Sequence, residues 1–166
     1  MRKLGGRGGN TIIETAMLIP VLLLLLVGMA QIAKFTYTYY TLKKTLYGIA
    51  TYLSTQQGVN FCDPSDPTIA AAINFGLTRS TDGSQPVFVT GLTAGMIQVT
   101  PESLDPLSGS PFPFLWCSFA YGFEAAPPDQ IVVSIPNGYI LQPRIPFLPI
   151  NAIPLKPMVK VPYVGT

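Results

Sequence analysis

From Thr15 to Ala33 the chain carries 19 consecutive residues without a charge, with five leucines in a row from Leu22 to Leu26. At the 1.5 Å rise of an α-helix, such a run spans roughly 28 Å, close to the hydrocarbon thickness of a bilayer. Any fold must therefore give this segment lipid or other apolar helices as neighbours. Pro20 sits inside the run, where it removes one backbone hydrogen bond and predicts a kink; membrane helices tolerate this better than soluble ones. Glu14 stands at the mouth of the run.

The helical pattern continues past Ala33. Ile32, Phe35, Tyr39, Leu42, Leu46, Ile49 and Leu53 follow at alternating steps of three and four, with Lys34, Lys43, Lys44 and Thr45 off that stripe. One apolar face down a helix has this spacing. Gln56, Gln57 and Gly58 supply a stop, with Gly58 as a C-terminal cap. The pattern predicts one helix over 10–57, membrane-spanning over about 15–33 and amphipathic above it, where a small domain packs.

Composition agrees. Charged residues make up 11% of the 166 and hydrophobic ones 48%, with a mean hydropathy of +0.39. A soluble domain has about a quarter charged residues, so much of this surface meets lipid or neighbours. The net charge of +2 is lopsided: Arg2, Lys3 and Arg7 lie in the first nine residues, leaving seven basic against eight acidic side chains after them. That balance offers no footprint for nucleic acid. The absence of histidine removes the commonest general base and metal ligand. Neither a cofactor nor a metal site is expected.

Residues 58–166 read as a small extracytoplasmic domain. Asp66 and Pro67 open a short helix that Gly76 closes. The segments "PVFVT", "MIQVT", "QIVVSI" and "MVKVPY" have strand composition. About half of the 17 prolines follow Ala126, which makes the tail edge strand or extended chain. Cys62 and Cys117 are too few for a four-thiolate zinc site. In an exported segment they read as one disulfide, a constraint of roughly 4 kcal/mol on the unfolded chain in the chain-entropy model; two unpaired buried thiols are the alternative.

The order of a basic leader over 1–9, then Gly9, Asn10 and "NTIIE" before the apolar helix resembles the processing signal of type IV pilins and pseudopilins. From "IIETAMLIPVLLLLLVGMAQ" through "YGIATYLS" the chain resembles their TadE-like branch, the minor pilins of tight-adherence systems. Leu18, Pro20, Leu22 to Leu26, Tyr37, Tyr39, Tyr40, Ala50 and Tyr52 carry the likeness. Gln31 and Lys34 depart from the acidic or basic residue that often follows the leucine run. The resemblance implies an α+β, pilin-like fold. It also implies cleavage after Gly9 by a prepilin peptidase and assembly with other pilin subunits into a surface filament. Glu14, fifth residue of a chain beginning at Asn10, would set register by pairing with the new amine of a neighbouring subunit; an unpaired carboxylate at the membrane edge is costly.

Other readings compete. Thr11 with Glu14 fits a capping box at a helix start. Met1 to Arg7, Met17 to Val27 and Gly28-Met29-Ala30 fit the three regions of a secretory signal peptide, giving a soluble exported protein. Glu14 and the apolar stripe continuing to Leu53 count against that. An uncleaved anchor in the cytoplasmic membrane, holding a binding domain that never polymerises, is a further alternative. The leader favours a cytoplasmic N-terminus and an external C-terminus, although Lys34, Lys43 and Lys44 flank the far side. The pairs Asp63 with Asp66 and Glu102 with Asp105 lie beside proline and serine, where turns and caps are the usual use, so no enzyme is expected. Tyr39 is expected in the core, with Tyr37 and Tyr40 meeting headgroups or a neighbouring subunit.

Overall fold

The computed structural model describes residues 8–61, 63, 65–104, 111–113, 128–143 and 151–165, with 8–11 and 111–113 as backbone alone. The fold is α+β: one long helix and a small antiparallel sheet. The expected Cys62–Cys117 bridge lies outside the described residues, as do Asp105 and the prolines Pro146 and Pro149 of the tail.

Helix α1 runs from Gly8 to Ser54. It continues through Pro20 without a break, although that residue leaves the carbonyl of Ala16 without its i+4 donor. Residues 8–10 are already helical, ahead of the expected start, so Thr11 stands inside the helix and not at the N-cap that a capping box needs. The end falls short of the expected 57. The carbonyl of Ser54 accepts from the backbone N–H of Val164 at 3.0 Å and of Gly165 at 2.9 Å. The Tyr163 hydroxyl donates to the carbonyl of Gln56 at 2.7 Å. The C-terminal segment thus satisfies carbonyls that a helix end leaves open. Gly58, at φ +69°, bends the chain beyond this cap rather than forming it.

The upper half of α1 is the spine of the domain. Leu42, Leu46, Ile49 and Leu53 are fully buried, with Ala50 beside them. Lower members of the stripe leave the core: Phe35 only edges it and Ile32 is exposed. Tyr39, expected inside, is 37% exposed, with the Lys43 ammonium 5.7 Å from its ring centre. Core-forming sheet and helix reach α1 only from Leu42 upward, so the same spacing has different neighbours below.

Helix α2, Pro67–Thr78, begins as expected: an Asp66 carboxylate oxygen accepts from the Thr68 N–H at 2.7 Å, with Pro67 in the first turn. Its end differs. Gly76, expected beyond the helix, lies inside it, and the cap is Arg79 in the left-handed region at φ 63°. The Arg79 N–H donates to the carbonyl of Phe75 at 2.8 Å. Its guanidinium lies 5.8 Å from the Phe75 ring centre and 5.7 Å from that of Phe88, within cation–π range.

Six strands follow: β1 (Gln98–Leu104), β2 (Pro111–Pro113), β3 (Gln130–Ser134), β4 (Tyr139–Leu141), β5 (Ile153–Leu155) and β6 (Met158–Pro162). Four form an antiparallel sheet in the order β2-β1-β3-β6, while β4 and β5 pair separately. Val99, Val133 and Val159 align across three strands, and Ile131 opposes Val161. These residues pack on the helices, as period-two alternation demands. On the opposite face, Lys160 Nζ and Gln130 Nε2 both reach the same Glu102 carboxylate oxygen at 2.7 Å. This links β6, β1 and β3.

The segments "MIQVT", "QIVVSI" and "MVKVPY" overlap β1, β3 and β6, and β6 is an edge strand ending in Pro162. "PVFVT" is not a strand. Residues 86–90 pass the end of α2, where the Phe88 N–H donates to the carbonyl of Leu77 at 3.0 Å. Val89 is buried against the helices, and among the described strands none pairs with residues 86–90, so β composition there found no ladder to join.

Candidate functional site

The lower half of α1 is the site. From Met17 to Leu26 every large apolar side chain is between 46% and 75% exposed. The most apolar 18-residue window has a mean hydropathy of 2.5, and none of it is buried. Burying an apolar side chain stabilises by about 1.5–3 kcal/mol, so nine such residues in water would be a large deficit. Length and apolarity match a bilayer crossing, and the same surface suits packing against other helices.

Along this surface Ile12, Thr15, Ala16 and Ile19 form one face, at steps of three, one and three. Small residues between the two isoleucines leave a shallow groove of about 330 Å³. Such a hollow admits a side chain from a neighbouring helix, since small residues allow close backbone approach. Glu14 is exposed and immediately precedes the uncharged run. Pro20 follows Ile19 directly.

Gly9 and Asn10, where the resemblance implies cleavage, both lie in α1, where the backbone alone is described. The structure brings Gly9, Asn10 and Glu14 within two turns of one another, and Pro20 another turn and a half along. Cys62 and Cys117, outside the described residues, take no part in this description. No cluster of three or more metal-ligating side chains occurs among the described residues.

One feature escaped the sequence reading. Lys34, Tyr37, Thr38 and Thr41 on α1 face Phe88 to Thr90 and Tyr139 to Gln142 across a groove of about 560 Å³. The Tyr139 hydroxyl donates to the Thr90 carbonyl at 2.8 Å and ties two of its walls together. Only the run of exposed tyrosines hinted at it, because its walls are about 50 and 100 residues apart in the chain.

Two carboxylates in the domain, at the start of α2 and in the loop after it, are shaped by local hydrogen bonds. Partial burial pushes Asp66 up, but the N–H groups of Thr68 and Asn60 outweigh it and hold the carboxyl below its ordinary value. The Ser80 hydroxyl and the Ser84 N–H hold Asp82 down at about 2. Both are loop and cap arrangements.

Compared with known families, residues 9–50 match the model described as TadE-like protein. The match covers Glu14, the apolar half of α1 and most of its amphipathic half. Searches of curated proteins and of solved structures return no match.

Proposed function

We propose that this chain is a pilin-like structural subunit, a minor pilin or pseudopilin of a tight-adherence or type IV pilus-like filament. The carrying observation is the contrast within α1: one apolar face of its upper half is covered by its own domain, while its lower half is uncovered on every side. The TadE-like match over the same residues supports the reading.

In this reading the chain enters the cytoplasmic membrane with its N-terminus inside. A prepilin peptidase cuts after Gly9, and the lower half of α1 leaves lipid to pack among neighbouring subunits. Burial of apolar surface and helix packing drive assembly. Glu14 sets the register by meeting the Asn10 amine of a neighbour, because a carboxylate in an apolar bundle is costly without a positive partner. The external domain is held by a Cys62–Cys117 disulfide, and the protein has no catalytic role.

The decisive measurement is the N-terminus and intact mass of protein recovered from its native host, together with incorporation of Glu14→Ala into sheared surface material. Chains beginning at Asn10 and a variant held in the membrane support the reading. Normal filaments from Glu14→Ala would overturn the registry role. Chains retaining residues 1–9 would move the protein to an uncleaved membrane anchor, and chains beginning at Gln31 to a soluble exported protein.

A further inference from the structure

Strand β6 lies at one side of the sheet, and β3 is its only strand neighbour among the described residues. The Ile135 N–H donates to the Pro157 carbonyl at 3.3 Å, and the Tyr163 N–H to the Asp129 carbonyl at 2.9 Å. Bonded and non-bonded pairs alternate along an antiparallel ladder, so Val159 with Val133 and Val161 with Ile131 are the bonded pairs between these two contacts. Met158 and Lys160 therefore turn their N–H and C=O groups away from β3, and Pro162 turns its carbonyl the same way. No described residue takes these groups.

The same alternation brings Val164 onto α1, where its N–H donates to the Ser54 carbonyl at 3.0 Å. The free edge thus meets α1 at its upper end and parts from it below. Between them lies a groove of about 460 Å³, with Tyr40, Lys43, Lys44 and Tyr47 on the helix wall and Met158 and Lys160 on the strand wall. Tyr40, Tyr47 and Met158 are more than half exposed. Lys43 stands ten residues past Ala33, about 15 Å at the helical rise, so the groove opens to water and not to the hydrocarbon.

Charge selects the occupant. Neither Lys43 nor Lys44 has a carboxylate partner among the described residues. Lysine on an edge strand commonly guards it against pairing, but the Lys160 ammonium is drawn to Glu102 across the outer face of the sheet, at 2.7 Å. A strand added about 4.8 Å outside β6 would point alternate side chains at the helix wall, where two ammonium groups favour carboxylates.

We propose that this groove takes an extended acidic segment of a partner chain as an added strand on β6, paired through the backbone of Met158 and Lys160 and held by the charges of Lys43 and Lys44. Main-chain bonds at the sheet edge supply affinity, and alternate side chains supply selectivity. Pro162 has no N–H and Val164 is already bonded to α1, so pairing stops there and the segment is short. The proposal goes beyond the filament reading and holds whether or not the chain polymerises.

The test uses the full chain in mild detergent and the fluorescein-labelled peptide Thr-Glu-Val-Glu-Val-Glu-Thr amide, followed by fluorescence anisotropy. The peptide should bind saturably, and the same peptide with lysine for glutamate should not. Only alternate residues of a strand turn their N–H groups to a given neighbour. N-methylation at the valines or at the glutamates should therefore abolish binding in one series and spare it in the other. Lys43→Glu with Lys44→Glu should weaken binding about tenfold or more, while Lys34→Glu, two to three turns lower, should leave it unchanged. Lys160→Pro removes an outward N–H without touching the β3 ladder and should cost about tenfold; Lys160→Ala, which keeps that N–H and loses only the link to Glu102, should not. If Lys160→Pro fails to fold, the methylated peptides still decide the matter. Absence of saturable binding overturns the proposal, as does an equal response to both methylated series, which marks attraction to lysines alone. A chain that runs as a dimer, and as a monomer after Lys160→Pro, places a second copy on the edge and overturns the acidic partner.

Discussion

Gly76 of α2 lies directly against Ile49 of α1. A Cβ built at Gly76 would run into the Ile49 side chain, with its Cδ1 at 2.7 Å, and would stand 3.2 Å from the Thr45 carbonyl oxygen. The two helices are as close as they are because one of them has no side chain at the crossing. Gly76→Ala should therefore destabilise the domain by about 1–3 kcal/mol through overpacking, despite the roughly 1 kcal/mol that alanine gains over glycine in a helix interior. Gly28, with nothing within 4 Å of its own Cβ position, is the control: Gly28→Ala should be neutral or stabilising. Thermal unfolding of both variants in detergent, followed by near-ultraviolet circular dichroism, separates the two effects.

Gly165 makes a second close approach. A Cβ there would strike the carbonyl oxygen of Gln56 and stand 2.7 Å from the Tyr163 hydroxyl oxygen. Gly165→Ala should push the terminal segment off the end of α1 and weaken the bonds of Val164 and Gly165 to Ser54. A loss of about 1–3 kcal/mol is expected, with faster amide exchange at Val164 and Gly165 as the local sign.

The cap at Asp66 makes stability depend on acid. Its folded carboxyl lies below the ordinary 3.8, so the unfolded chain takes up a proton first as pH falls. The stabilisation is therefore complete above about pH 4 and is lost as pH drops through the folded value. Asp66→Asn keeps a capping oxygen without a titrating group. It should match the parent near neutrality and lose less stability between pH 4 and pH 2, a difference visible in urea midpoints across that range. Asp82, held at about 2 by Ser80 and Ser84, remains in both proteins and contributes equally.

The two halves of α1 should respond oppositely to truncation. Leu46 is fully buried, whereas Leu24 is 46% exposed. Leu46→Ala should cost about 2–5 kcal/mol of domain stability. Leu24→Ala should leave the unfolding midpoint nearly unchanged and instead reduce recovery in sheared filaments. Equal loss of stability at both positions would contradict the division of labour along the helix.

Local features were legible wherever local chemistry decides them. The uncharged run, the three-four stripe from Leu42 to Leu53, the Asp66-Pro67 start of α2 and the strand composition of β3 depend on near neighbours in the chain, and each appears in the structure. Features set by distant contacts were not. Gly76 looked like a stop because glycine favours the left-handed cap, yet the approach of α1 placed it inside a helix and left the cap to Arg79. Tyr39 has the spacing of a core residue, but the core does not reach its turn. "PVFVT" has strand composition, but none of the described strands pairs with it.

The same division applies to the functional surface. By itself the sequence determined a helix too apolar for water, a carboxylate at the mouth of its uncharged run and a likeness to the TadE-like model over residues 9–50. Spacing and charge along one continuous helix suffice for those. Only the tertiary structure decided where the domain begins to cover that helix and how the C-terminal segment caps it. It also decided that Lys34 and Tyr37 share a groove with Phe88 and Ile140. These depend on packing between segments tens of residues apart, where contact follows from the path of the chain and not from the order of its residues.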